Sequence, residues 1–166
     1  MHKHDYDIVF VGGGLVNSLL AWQLRRLKPW LKFVVLERGV SLGGKHTWSF
    51  HEEDLSASSL KWLMPLISAS WPCYQVAFPE IERQIESRYY SIRSRKFHEV
   101  LFRDLAESVR FGSEVISISQ NQVVCKDESV FSGKWVFDGR GQANLEMKAC
   151  GFQKFFGLEI ETVHPH

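Results

Sequence analysis

The sequence predicts an α/β fold organised around a strand, a glycine-rich turn and a helix near the N-terminus. Residues 8–11, Ile-Val-Phe-Val, form a short apolar run that is typical of a buried strand. Three glycines at positions 12–14 follow directly, and residues 14–27 carry apolar side chains at helical spacing. A second apolar segment, residues 32–37, ends in Glu37. Strand, turn, helix and strand in this order indicate a Rossmann-like βαβ unit.

The glycine-rich turn is a candidate binding site for a dinucleotide. Backbone N–H groups and the positive end of the helix meet at such a turn and attract a pyrophosphate. The fingerprint of these sites is G-x-G-x-x-G, and its last position here is occupied by asparagine. We therefore take Gly12, Gly13, Gly14, Leu15 and Asn17 as candidate cofactor-binding residues. The alternative is an ordinary strand–turn–helix of any α/β protein.

Two further features favour FAD among the dinucleotides. Glu37 ends the second strand about twenty residues after the turn, where a carboxylate accepts hydrogen bonds from the ribose hydroxyls of an adenosine. The same charge repels a 2′-phosphate, so Glu37 favours FAD or NAD over NADP, although it could also be a solvated charge. Gly43 and Gly44 follow in a loop whose lack of Cβ atoms suits a close approach to the cofactor, as in flavoproteins.

The middle of the chain indicates an insertion, because residues 45–90 lack clear periodicity. A short helix is predicted after Ser56, and residues 71–78 alternate like one strand. A zinc motif of the form H-E-x-x-H fails at His51, since the second histidine would have to stand at position 55, which is leucine. No metal site is predicted.

The second part of the core is predicted to return to the sheet through an antiparallel meander. Ser94 is expected to cap a helix over residues 95–109, followed by strands at 114–119, 122–126 and 129–131. A separate strand at 134–137 then ends in Asp-Gly-Arg-Gly, residues 138–141. If that strand lies beside the first one, its end reaches the cofactor, and three more candidate cofactor-binding residues follow: Asp138, Gly139 and Gly141.

Composition excludes several classes of protein. The 166 residues include 20 basic and 19 acidic side chains, a net charge of +1 that gives no basic face for nucleic acid. Three dispersed cysteines indicate neither a disulfide framework nor a zinc site and fit a reducing cytosol. No apolar run reaches the roughly 20 residues that span a bilayer.

Several longer motifs resemble the bacterial lycopene β-cyclase family, flavoproteins of carotenoid biosynthesis. The matching segments are spread over almost the whole chain, and they are Val-Gly-Gly-Gly-Leu-Val-Asn (11–17), Gly-Gly-Lys-His-Thr-Trp-Ser-Phe-His (43–51), Trp-Pro-Cys-Tyr-Gln-Val (71–76), Asp-Gly-Arg-Gly (138–141), Gly-Phe-Gln (151–153) and His-Pro-His (164–166). Asn17 is the residue that this family carries at the last fingerprint position, so the departure supports the resemblance.

The resemblance implies an enzyme that closes the ψ ends of lycopene into the β-ionone rings of β-carotene, an isomerisation without net redox change. It implies FAD in its reduced form, with NAD(P)H as the source of electrons. It also implies cytoplasmic localisation, with peripheral contact at the inner face of the membrane where the substrate dissolves. The family's acidic catalytic motif would lie beyond His166, so no catalytic residue is assigned and this chain alone is expected to be inactive.

The expected organisation is a discontinuous FAD-binding core at residues 1–44 and 94–141, an inserted substrate-side segment at 45–93, and the start of a substrate domain at 142–166. A strand is expected in residues 151–161, and because it is followed by no covering element, an incomplete fold is predicted. Two alternatives remain: an FAD-dependent oxidoreductase or monooxygenase of the same fold, and a non-catalytic nucleotide-binding fragment.

Overall fold

The computed structural model describes residues 4–141, 160 and 163, and within them a six-stranded sheet carries the fold. The elements, in chain order, are β1 (Tyr6–Val11), α1 (Leu15–Leu27), β2 (Phe33–Leu36), β3 (Thr47–His51), α2 (Ala57–Leu63), β4 (Ala69–Trp71), β5 (Tyr74–Phe78), β6 (Ile81–Ile85), β7 (Tyr89–Arg93), α3 (Ser94–Leu105), β8 (Val109–Arg110), β9 (Val115–Ile118), β10 (Gln122–Cys125) and β11 (Val130–Asp138). The strand order of the six-stranded sheet is β8-β2-β1-β11-β10-β9. The predicted α/β class with a parallel sheet is confirmed.

Strand β1 is buried on both faces, which explains its unbroken apolar sequence. Ile8 and Phe10 belong to a core that α1 and α3 cover, while Val9 and Val11 pack with residues of β2 and β10 in a second core. β1 pairs in parallel with β2 on one side and with β11 on the other. The carboxyl ends of these three strands therefore meet at one edge of the sheet, where ligands of open α/β sheets bind.

The meander is confirmed, but its last strand is longer than predicted. β9, β10 and β11 pair antiparallel, and β11 continues as one strand to Asp138 beside β1. The prediction of separate strands at 129–131 and 134–137 was wrong, because β11 runs without a break from Val130 to Asp138. Gly133 lies within the strand, and a Cβ atom there would meet the Val9 side chain at 2.8 Å. The glycine thus permits the close packing of β11 on β1.

Residues 47–93 form smaller sheets of their own. β3, β7 and β4 make a three-stranded antiparallel sheet, and β5 and β6 make a separate hairpin. The predicted single strand at 71–78 is two strands, because the chain bends at Pro72 between β4 and β5. α2 begins after Ser56, as predicted, and the Ser56 side chain accepts a hydrogen bond from the Ser59 N–H. The division of the chain into domains stays a prediction.

Helix α3 is shorter at its C-terminal end than predicted and begins differently. Ser94 is its first residue, Arg93 occupies the cap position, and no side chain caps the helix. Val109, predicted as the helix end, instead pairs with Val35 at the edge of the sheet in β8. The predicted strand at 151–161 and nearly all of the segment 142–166 lie outside the described residues. No helix in the described part of the chain is long and apolar enough to cross a membrane.

Candidate functional site

A pocket of about 420 Å³ lies at the carboxyl ends of β1, β2 and β11. Eight of the eleven residues predicted to bind a cofactor line it, and they are Gly12, Gly13, Gly14, Glu37, Gly43, Gly44, Gly139 and Gly141. The sheet brings together residues up to 129 positions apart in the chain, because β11 returns beside β1.

The Gly12–Gly14 turn is fixed by backbone contacts. Gly12 has φ +90°, a conformation that favours glycine, and its N–H donates to the Leu36 carbonyl at 2.8 Å. A Cβ atom on Gly12 would meet the backbone of Gly139 at 3.2 Å. By contrast, a Cβ atom on Gly14 would have no neighbour closer than the Gly139 carbonyl oxygen at 4.0 Å. The first glycine therefore serves the packing of the turn, whereas the last one leaves open space.

The start of α1 presents free donors to this space. Gly14 is the cap residue, no side chain caps the helix, and its first turn contains no acidic residue. The first N–H groups of a helix have no partner within the helix, and the helix dipole adds positive potential there. This end of α1 can therefore accept an anionic group.

Glu37 holds two parts of the pocket wall together. Its carboxylate accepts a hydrogen bond from the Gly13 N–H at 2.7 Å through one oxygen and from the Gly39 N–H at 2.7 Å through the other. Each oxygen has a second lone pair, so the carboxylate can still accept bonds from a ligand. Glu37 is thus both a link between two loops and an available acceptor.

The loop at Gly43 and Gly44 is anchored to the same turn. The Gly43 N–H donates to the Gly13 carbonyl at 2.8 Å, and both glycines have positive φ, +78° and +61°. A Cβ atom on Gly43 would meet the Trp48 ring at 2.8 Å and the Phe97 ring at 2.9 Å. On Gly44 it would meet only the His46 ring, at 3.6 Å.

Asp138 is paired with Arg140 rather than pointing freely at the pocket. The Arg140 guanidinium donates two hydrogen bonds to the Asp138 carboxylate, each at 2.9 Å, and a third to the Val115 carbonyl at 3.1 Å. These bonds from Arg140 hold the pKa of the Asp138 carboxyl below its ordinary value. The pair ties the end of β11 to the start of β9.

Three of the predicted residues, Leu15, Asn17 and Asp138, are not in the pocket lining. Leu15 opens α1, where its backbone N–H is one of the free donors. Asn17 is only 4% exposed, and its side-chain amide donates to the carbonyls of Val11 at 2.9 Å and Gly12 at 3.0 Å. Its side chain therefore contacts the backbone of the turn and does not line the pocket.

Several lining residues were not predicted: Arg38, His46, Ser113, Glu114, Val115 and Arg140. Residues 113–115 reach the pocket because the Ser113 N–H bonds to the Glu37 carbonyl at 3.0 Å, which brings the segment before β9 against the end of β2. No local pattern marks this contact in the sequence. Within the described residues, no group of His, Cys, Asp and Glu side chains could hold a metal ion.

Solved structures resemble the fold. A 2,6-dihydroxypyridine-3-hydroxylase from Arthrobacter nicotinovorans superposes with a TM-score of 0.59 at 16% identity, over 81% of this chain and 37% of that one. A geranylgeranyl bacteriochlorophyll reductase-like protein from Thermoplasma acidophilum gives 0.58 at 20% identity, over 80% and 38%. A protein from Photorhabdus luminescens assigned as an FAD-containing monooxygenase gives 0.53 at 16% identity, over 82% and 40%. At these identities the likeness shows the fold alone.

Sequence relatives are much closer. A lycopene beta-cyclase from Pseudescherichia vulneris is 40% identical over 161 residues, which are 96% of this chain and 42% of the relative. A lycopene beta-cyclase from Pantoea ananas is 38% identical over 166 residues, 100% of this chain and 43% of the relative. The chain thus spans about two fifths of the length of these relatives. Residues 7–166 match the family described as lycopene cyclase protein, and the chain belongs to that family.

Proposed function

We propose that this chain is the cofactor-holding part of a lycopene β-cyclase and that it binds FAD. One observation carries the proposal: in a member of the lycopene cyclase family, the predicted glycines and Glu37 line one pocket at the carboxyl edge of a parallel sheet. Open α/β sheets bind dinucleotides at such an edge.

The diphosphate of FAD would lie at the start of α1. The N–H groups of Gly14 and Leu15 are placed to donate there, and the helix has neither a side-chain cap nor an acidic residue that would compete. The space above Gly14, where a Cβ atom has no contact within 3.9 Å, fits the close approach of a phosphate. The residues present therefore fit this group.

The adenosine ribose would be held by Glu37 at the end of β2. Hydroxyl groups donate well to a carboxylate, and the second acid in the lining, Glu114, is paired with Lys126 at 2.9 Å. A 2′-phosphate would be repelled by the Glu37 carboxylate, which favours FAD over an NADP-type ligand at this position. Gly43 and Gly44 would allow the cofactor to pass close to the backbone.

The proposed reaction forms β-ionone rings from the ψ ends of lycopene with no net redox change. When bound and reduced by NAD(P)H, the flavin would supply an electron-rich ring next to the positive charge that develops during ring closure. The contribution of this chain is to bind and orient the cofactor. The names of the relatives support the substrate, and because lycopene dissolves in membranes, we expect a cytoplasmic protein in peripheral contact with the inner face of the cell membrane.

The second candidate is a redox enzyme, because the solved structures with this fold include a hydroxylase and a monooxygenase. A chimeric protein can distinguish the cyclase from the redox enzyme. The 166 matched residues of the Pantoea ananas relative would be replaced by this chain, and the purified protein would be incubated with lycopene and reduced FAD without oxygen.

We expect cyclised product under these conditions, with the Gly14→Val chimera as the inactive control. A chimera that binds FAD but modifies lycopene only when oxygen is present would contradict the proposal and support a monooxygenase. A third outcome, flavin-loaded protein with no product under either condition, would contradict both enzymatic readings.

A further inference from the structure

The residue at the last fingerprint position, Asn17, is almost fully buried but has no place in the pocket lining. Its side-chain amide donates to two successive carbonyls, those of Val11 at 2.9 Å and Gly12 at 3.0 Å. The next carbonyl, that of Gly13, accepts a hydrogen bond from the Ser18 hydroxyl at 2.9 Å. Two side chains of the first turn of α1 therefore hold three consecutive carbonyls of the turn.

This arrangement determines where the N–H groups of the turn point. In a trans peptide the carbonyl and the following N–H face opposite ways, and the described residues contain no cis peptide. The carbonyls of Val11 and Gly12, held by Asn17, thus turn the N–H groups of Gly12 and Gly13 the other way, and the Gly13 carbonyl, held by Ser18, does the same for the Gly14 N–H. The Gly13 N–H indeed points at the Glu37 carboxylate, at 2.7 Å.

Asn17 also explains the glycine that directly follows β11. A Cβ atom on Gly139 would lie 2.5 Å from the Asn17 amide nitrogen and 2.8 Å from its carbonyl carbon. The φ of Gly139 is not among the positive values, so its backbone conformation does not itself require glycine. Gly139 is glycine because the Asn17 side chain occupies the space beside it.

We propose that Asn17 is a positioning residue: its amide fixes the peptides on either side of Gly12, so that the Gly13 N–H meets Glu37 and the turn leaves the Gly14 and Leu15 N–H groups free for the FAD diphosphate. The same side chain packs against Gly139 at the end of β11. In the usual fingerprint the third glycine serves close packing by having no side chain. Here the side chain is present, and Gly139, directly after β11, leaves the space that this side chain occupies. This inference rests on the proposed FAD site, but the contact between positions 17 and 139 can be tested without FAD.

The first test is the isosteric Asn17→Asp substitution in the 166-residue chain. A carboxylate facing the Val11 and Gly12 carbonyls is repelled, so we expect FAD affinity to fall at least about tenfold near neutral pH. Lowering the pH from about 8 to about 5 protonates a buried carboxyl, whose O–H can donate to one carbonyl again. FAD affinity of the variant, relative to wild type at each pH, should then partly recover.

The control is Asn121→Asp in the meander. The Asn121 amide also donates to two backbone carbonyls, those of Gly133 at 3.1 Å and Lys134 at 3.2 Å, but it lies outside the pocket lining. The two variants undergo the same chemical change. Only Asn17→Asp should show a pH-dependent loss of FAD affinity relative to wild type. Equal affinity of wild type and Asn17→Asp at all pH values, or the same pH-dependent loss in Asn121→Asp, would overturn the positioning role.

The second test is a double-mutant cycle that does not depend on the aspartate variant folding. Gly139→Ala should destabilise the wild-type chain in urea, whereas in the Asn17→Ala background the added methyl has room. We expect the effect of Gly139→Ala on the unfolding equilibrium to be at least about fivefold smaller in that background. Additive effects would overturn the packing claim. If wild type itself binds no FAD, the proposed function fails and the orienting role fails with it, whereas the coupling still decides the packing claim.

Discussion

The Gly12–Gly14 turn and the Gly43–Gly44 pair both line the pocket, and each combines a packed glycine with an open one. Gly12 and Gly43 have positive φ, and a Cβ atom on either would press on the protein itself, at 3.2 Å and 2.8 Å. Gly14 and Gly44 would meet nothing closer than 4.0 Å and 3.6 Å. The packed members thus maintain the fold, and the open members leave room for a ligand. Substitutions can separate these two roles.

The largest expected effect on stability comes from the packed member of the second pair. Gly43→Ala combines an unfavourable φ with contacts to the Trp48 and Phe97 rings, so we expect a loss of about 3 kcal/mol or more. Gly44→Ala has only the φ penalty, and we expect a loss of about 1 kcal/mol. Urea unfolding monitored by tryptophan fluorescence measures both. Equal losses would show that the contacts at Gly43 do not distinguish the two positions.

A smaller effect, on ligand binding, is expected at Glu37. Replacing it with alanine removes a charged acceptor for the ribose and should weaken FAD by about 1.5–3 kcal/mol, as measured by titration calorimetry. Part of this loss reflects the links to Gly13 and Gly39, so Glu37→Gln, which keeps one oxygen acceptor, should lose less. Glu99→Ala on α3, outside the pocket lining, is the control. Unchanged affinity in Glu37→Ala would mean that Glu37 only joins the two loops.

The smallest effect concerns the pair at the end of β11. Hydrogen bonds from Arg140 lower the pKa of Asp138 in the folded chain, so the pair stabilises the fold above the ordinary carboxyl pKa of about 4. That contribution is lost as pH falls through the lowered pKa. Because Asp138 is partly exposed, it should amount to less than about 1 kcal/mol.

Arg140→Met should therefore reduce stability near neutral pH and flatten the loss of stability between about pH 5 and about pH 2. Arg95→Met, which removes an exposed arginine on α3, controls for the change in net charge. A variant whose acid-induced loss is as steep as that of wild type would contradict the role of the pair.

The elements nearest the pocket were the most predictable from sequence. β1, α1 and β2 were predicted to within one residue at almost every end, because a strand buried on both faces and a helix covering it leave strong local patterns. The eight predicted residues that line the pocket come from motifs whose glycines and acid recur at dinucleotide sites. Their contact with a cofactor stays a prediction.

Other features depend on contacts that a local pattern does not contain. Gly133 lies inside β11, and its reason is the Val9 side chain of a strand more than a hundred residues earlier. The strand β8 has two residues and is defined only by its pairing with β2. Ser113, Glu114 and Val115 line the pocket because of a backbone bond to Glu37, which their side chains do not encode. Asn17 was predicted to bind the cofactor, which stays a prediction, and no local pattern indicates that its side chain donates to the carbonyls of Val11 and Gly12.

The central claim is that the open glycine of the turn faces a bound FAD diphosphate, and Gly14→Val tests it most directly. The measurement is calorimetric titration of FAD, with ADP as competitor, into wild-type and variant chains whose urea unfolding curves are compared in parallel. Because a Cβ atom on Gly14 would have no neighbour closer than the Gly139 carbonyl oxygen at 4.0 Å, we expect the variant to stay folded and to lose FAD binding. A folded Gly14→Val chain that binds FAD as tightly as wild type would contradict the account.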